Sequence, residues 1–172
     1  MSGQRAVGGT LVATAAWREL FGVQSMLLRR FEAAGDFGEL SPREYDVLLV
    51  LAEAGEGLRL GDMASRTFLP QPSMSRIVER MERRGLLERC SSPQDARGVL
   101  VSLTPAGAQT QREAGRRHVR SISQAMTAGL DEHELQMLTH LLTKVRLANT
   151  DENTNARLST SARLSVRTQE KR

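Results

Sequence analysis

Pro70-Gln71-Pro72-Ser73-Met74-Ser75-Arg76-Ile77-Val78-Glu79-Arg80-Met81-Glu82-Arg83-Arg84-Gly85 is the stretch whose periodicity decides the fold. Met74, Ile77, Val78 and Met81 recur at i, i+3, i+4 and i+7, so they share one helical face and pack inward. Ser75, Arg76, Glu79, Arg80 and Arg83 take the opposite face. Gly85 supplies the left-handed residue that ends such a helix, and apolar Leu86 follows to close the cap. Arg83 and Arg84 fall in the last turn, where cations complement the helix dipole.

Beyond that stop the period changes. Leu86 to Arg89 is short enough to be extended, and Val99, Val101 and Leu103 alternate with Leu100 and Ser102 at strand spacing. Between them, Ser91-Ser92-Pro93-Gln94-Asp95-Ala96-Arg97-Gly98 is a turn-rich tip. A helix followed at once by a basic hairpin has the order of a recognition helix and a wing. In such a device the helix enters the major groove of duplex DNA and the ribbon reaches the minor groove.

Upstream, Ser41-Pro42-Arg43-Glu44 is a capping box with proline at the first helical position, and Tyr45, Leu48, Leu49 and Ala52 continue the helix. Leu58 to Ala64 reads as the first helix of a helix-turn-helix, without a Ser or Thr cap near Leu60. Together with Arg84-Gly85-Leu86-Leu87, Pro93-Gln94-Asp95-Ala96-Arg97 and Leu103-Thr104-Pro105-Ala106-Gly107, these pieces resemble, in order and spacing across residues 40–107, the MarR family of winged helix-turn-helix transcriptional regulators. Pro70 and Pro72, which bracket Gln71, are a departure at the start of the recognition helix.

The resemblance implies a mainly α (α+β) fold: a winged helix-turn-helix with a two-stranded wing, and N- and C-terminal helices that form a dimerisation region. It implies a homodimer on a pseudo-palindromic DNA operator, acting as a repressor that a small aromatic effector releases. By the family pattern, Gln71, Ser73, Ser75 and Arg76 reach base edges, Asp95 anchors the wing ionically, and Arg97 enters the minor groove. Arg80, with Arg43, Arg59, Arg66 and Arg89, is a candidate for phosphate neutralisation. Trp17, Phe21 and Tyr45, with Phe31 and Phe37, are candidates for lining the effector crevice.

Composition sets the outer limits. With 172 residues and 40% hydrophobic content, the chain suits one domain. The expected layout is a flexible start over 1–10, a reading head over 41–104, dimerisation helices over about 11–34 and 104–147, and a flexible tail over 148–172. No apolar run is long enough for a membrane span and no secretory leader is evident, so a cytoplasmic location is expected. The single cysteine, Cys90, excludes a disulfide framework and reads as a small filler on the first wing strand. Aromatic content of 3% argues against gripping single strands by stacking. His118, His133 and His140 are dispersed, so no metal or cofactor is expected.

Two other function classes fare less well. An enzyme would need a phosphate-binding glycine loop, a nucleophile elbow or a carboxylate–histidine arrangement, and none is evident. A winged-helix protein–protein interaction module without DNA binding would present an apolar or acidic recognition face, whereas Ser75, Arg76, Arg80 and Arg97 make it polar and basic.

Overall fold

A computed structural model describes residues 2–92 and 95–149 of the protein, with side chains described at 9–90 and 99–149. Its elements run α1 (Ser2–Ala33), α2 (Pro42–Ala54), α3 (Leu60–Thr67), α4 (Gln71–Arg83), β1 (Leu87–Ser92), β2 (Asp95–Leu103) and α5 (Pro105–Thr127). A further helix, α6, covers residues 132–149. They fall into two compact units, Met1–Ser123 and Gln124–Arg172.

In the first unit, α2 opens with the cap its sequence predicts. The Glu44 N–H donates to Ser41 Oγ at 3.3 Å, and the Ser41 N–H donates to Glu44 Oε2 at 2.8 Å. Gly55, at φ 69, ends the helix by returning its N–H to Leu51 O. The expected inner face of α4 is buried in full: Met74, Ile77, Val78 and Met81 join Val47, Leu48, Leu51 and Met63 in one core. Burial of each such side chain contributes about 1.5–3 kcal/mol. Truncating Met74 would therefore cost about 2–5 kcal/mol, the usual range for a buried methionine.

The end of α4 is a Schellman motif. Leu86 N–H reaches Met81 O at 3.0 Å, and Gly85 N–H reaches Glu82 O at 2.9 Å with Gly85 at φ 69. The chain then enters an antiparallel hairpin in which Leu87 pairs with Leu103, Arg89 with Val101 and Ser91 with Val99, and the register shifts at Ser91/Ser92. β2 begins at Asp95, earlier than the Val99 that alternation alone marks. Leu87 and Val101 are buried, so the hairpin roots itself in the core. A second tie holds that root: Leu58 N–H donates to Val101 O at 2.9 Å, and Val101 N–H donates to Leu58 O at 2.8 Å.

Thr104 starts α5 as expected, accepting the Gly107 N–H at 3.0 Å, while its own hydroxyl donates to Gly85 O at 2.6 Å. The helix passes so near Leu86 that a Cβ at position 107 would overlap the Leu86 carbonyl, and only glycine fits. At the other end of the unit, α1 starts at Ser2 and not near Leu11. Gly8 and Gly9, read as part of a flexible start, lie inside it. Once a helix propagates, each glycine costs only about 1 kcal/mol relative to alanine.

The second unit holds the end of α5 and α6. Asp131 and Glu134 cap α6 reciprocally, Glu134 N–H to Asp131 Oδ1 at 2.8 Å and Asp131 N–H to Glu134 Oε2 at 2.9 Å. Met137, Leu141, Leu142 and Val145 are exposed along it. The expected tail lies beyond residue 149, outside the described residues, apart from Ala148 and Asn149, which are helical.

Candidate nucleic-acid interface

Helical spacing sorts the exposed side of α4 into two rows, Gln71–Ser75–Glu79 and Pro72–Arg76–Arg80, both turned away from the buried Met74–Met81 face. Gln71 and Arg76 are exposed, and Ser73 and Ser75 are partly buried. The first turn is held by Pro70 O, which accepts the N–H groups of Ser73 at 2.9 Å and Met74 at 3.0 Å. Pro72, at the second helical position, has no N–H to waste there. Ser75 Oγ donates to Glu79 Oε1 at 3.1 Å, so this serine also serves its own helix. Arg76 makes no ion pair among the described residues, which leaves its planar fork available for a guanine edge or a phosphate.

Arg80 is placed differently from Arg76. Its Nε–H donates to Glu44 Oε1 at 2.9 Å, and Arg84 Nη1 donates to the same oxygen at 3.2 Å while Arg84 Nη2 reaches Glu39 O at 3.3 Å. Glu44 is only 4% exposed. Burial pushes its carboxyl up, but the Ser41 N–H, the hydrogen bonds from Arg80 and Ser41 and the Arg80 charge outweigh that, holding it below its ordinary 4.5. Arg80 therefore ties α4 to α2. Arg83 likewise serves its helix end, with Nε donating to Glu79 O at 3.3 Å. Arg89, on the wing, pairs with Glu82 at 3.4 Å.

The side chains of Asp95 and Arg97 lie outside the described residues. Their backbones begin β2, with Asp95 paired to Ser92 at the tip end of the hairpin. Cys90 is exposed on β1, so it is not the interior filler its type suggests. Strand alternation turns it outward, where Sγ stands 3.5 Å from Ser102 Oγ.

The three aromatics expected to line one crevice are not brought together within the chain. Trp17 and Phe21, 64% and 60% exposed on α1, stack on each other with centroids 6.3 Å apart. Tyr45 is instead 5% exposed and packs among Phe37 and His118, at 5.4 Å and 5.3 Å. One helical turn separates Trp17 from Phe21, so they share a face, while Tyr45 lies on the inner face of α2. Burial first, and then the charges of Asp46, Glu53 and Asp36, push the Tyr45 phenol above its ordinary 10.0.

Sequence reading missed the group beside Tyr45. Asp36, 2% exposed, accepts from His118 Nδ1 at 3.0 Å and from Ser121 Oγ at 2.8 Å, and its backbone oxygen accepts from Arg117 Nε at 3.1 Å. These are the residue types of a hydrolytic triad in the wrong order. The serine bonds to the aspartate and not to the histidine, so the base has no nucleophile to activate. The group is a latch between α5 and the turn after α1. Among the described residues no cluster of three or more His, Cys, Asp or Glu is arranged to hold a metal. No described helix is long and apolar enough to cross a membrane.

A helix-turn-helix with a rooted wing and a basic exposed recognition row narrows the comparison with known proteins. A family model described as MarR family matches residues 39–98. Over 109 residues, 60% of this chain and 68% of the relative, it is 33% identical to the homoprotocatechuate degradative operon repressor of Escherichia coli. The chain belongs to the MarR family. This MarR-family chain is also 36% identical over 73 residues to the multiple antibiotic resistance protein MarR of Salmonella typhimurium, covering 42% of itself and 51% of that relative. It thus spans about half the length of that curated relative. Among solved structures, the PcaV transcriptional regulator from Streptomyces coelicolor, in complex with its natural ligand, is 30% identical over 70% of this chain and 89% of its own, with TM-score 0.57.

Proposed function

We propose that this MarR-family chain is a duplex-DNA-binding transcriptional regulator: a homodimer that represses by occupying a pseudo-palindromic operator and is released by a small aromatic effector. The observation that carries the DNA reading is Arg76, exposed and without an ion-pair partner among the described residues, on a recognition helix whose opposite face is wholly buried. Gln71, Ser73 and Ser75 stand with it for base edges, and Arg97, with Asp95 as its neighbour on the wing, serves the minor groove. Arg80 supports the helix. Of the relatives named above, one is a repressor and one a transcriptional regulator, which favours regulation over catalysis.

Dimerisation is supported by the apolar side chains left in water along α1, where Leu11, Val12, Trp17, Leu20, Phe21 and Val23 are all exposed on several sides of the helix. So much exposed apolar surface on one helix calls for a covering surface, and a second copy supplies it. The effector reading is supported by a cleft of about 320 Å³ between the end of α2, the end of β2 and α5, lined by Leu51, Ala52, Gly57, Leu103, Gln111 and Arg112. Its size suits one aromatic ring, and Arg112 is placed at its wall to meet an acidic substituent. Trp17, Phe21 and Tyr45 are not part of this cleft.

The direct experiment is footprinting of the full chain on the DNA upstream of its own gene. A protected two-part site with half-sites about 10 bp apart is the expected result. Absence of protection at micromolar protein and low salt would count against the DNA reading.

A further inference from the structure

Phe68 combines two features that folding alone does not reward. Its backbone is left-handed, φ 56 and ψ 23, and it is the only non-glycine at positive φ among the described residues. Its side chain is 78% exposed, the highest value for a large hydrophobic among them. The conformation follows from its place at the end of α3: its N–H returns to Ala64 O, and Leu69 N–H reaches the same oxygen at 3.1 Å. Phe68, Leu69 and Pro70 then turn the chain into α4. Glycine or asparagine makes such a turn with little strain, and an apolar ring forced into it would ordinarily at least be buried. A residue held in a sparse backbone region without return from its own fold points to use elsewhere.

The surroundings indicate what the ring meets. Pro70, Gln71 and Pro72 follow it, all exposed at the leading end of α4. No carboxylate occurs from Ser65 to Arg76, while Arg66 and Arg76 flank the turn. The result is an apolar ridge between cations at the end of the helix that enters the major groove. Within that groove the apolar group on a base edge is the thymine C5-methyl, which phenylalanine is suited to contact.

We propose that Phe68 is a specificity-determining residue of the DNA site, packing its ring on the C5-methyl of a thymine in each half-site. The assignment rests on the DNA-binding reading above. It also accounts for the two prolines around Gln71, which stiffen the ridge that carries the ring.

The test uses the full chain and its footprinted operator, with each thymine replaced in turn by deoxyuridine, a change that removes one methyl and keeps the base pair. At the contacted position the parent should lose about fourfold in affinity, the worth of one buried methyl group. Phe68→Gly should bind the thymine operator more weakly than the parent and lose nothing further at that position. Phe68→Asn, which also tolerates the left-handed backbone, should behave like Phe68→Gly. Both variants should keep the parent's circular dichroism and unfold no earlier, so that weaker binding is not misfolding. If both bind the operator as tightly as the parent, or no deoxyuridine position weakens the parent, the assignment is overturned and a protein partner becomes the better occupant for the ring. A parent that protects no duplex at all overturns the DNA reading itself, before any variant is made.

Discussion

Glu44, at the start of α2, accepts the Nε–H of Arg80, late in α4, at 2.9 Å. The same carboxylate caps its own helix and holds Arg84, so one buried side chain fixes where the recognition helix sits on its support. Glu44→Ala removes a capping partner and charge-assisted hydrogen bonds whose arginines are partly exposed. It should cost about 2–3 kcal/mol in denaturant unfolding. A loss below about 0.5 kcal/mol would show the carboxylate to be idle.

The same residue gives a pH dependence. Its folded pKa is depressed below the ordinary 4.5, so the unfolded chain binds the proton more readily. Stability from Glu44 is therefore present above that ordinary value and lost as pH falls through the lower folded one. Unfolding midpoints taken from neutral pH down through 4.5 and below should fall more steeply for the parent than for Glu44→Gln. Parallel acid limbs would contradict the assignment.

Arg76 and Arg80 sit on one face yet should fail differently. Arg76→Ala should weaken operator binding by about 1–3 kcal/mol, leave random DNA little affected and spare stability. Arg80→Ala should lower the unfolding midpoint and weaken both DNAs alike, because it loosens α4 and does not erase a base contact. Titrations on both duplexes with matched unfolding curves distinguish them; identical profiles would mean the Glu44 tie does not separate their roles.

Trp17 is the only tryptophan and is 64% exposed on α1 in the single chain. If a second copy covers the exposed apolar side chains of α1, its emission should be blue-shifted at micromolar protein and move red on dilution as the mass halves. Water-like emission that is independent of concentration would place the partner surface elsewhere.

Arg97→Ala should preserve circular dichroism and mass, weaken operator binding and flatten the slope of log affinity against log salt by about one unit or less. Asp95→Ala should weaken binding as well, although it removes a negative charge, through loss of the wing's ionic anchor. Parental affinity for both across the salt series would remove the wing from the interface.

Local rules carried much of the fold into view from sequence: the Ser41/Glu44 cap, the Met74–Met81 face and the Gly85 stop all depend on neighbours within a few residues. What stayed hidden depends on residues far apart in the chain. The Glu44–Arg80 tie spans 36 positions and the Asp36–His118 bond 82, and nothing in either local pattern announces a partner. The local pattern at Arg80 marks an exposed cation, which it is, and says nothing of the tie it also makes. Trp17 and Tyr45 were grouped by residue type, although they lie on faces turned to different neighbours. Phe68 had no sequence signal, because an aromatic after an amphipathic helix ordinarily reads as core.

The paired hydrogen bonds between Leu58 and Val101 have a consequence for operator grammar. They fasten the wing's root to the entrance of α3, so under the DNA reading proposed above the step from recognition helix to wing is set by protein geometry and would become a fixed word length in the DNA. Insertions in the hairpin tip, outboard of the bridge, change reach without shifting that word. Insertions between Gly55 and Leu58, or between Val101 and Thr104, alter its length and so demand a differently spaced promoter.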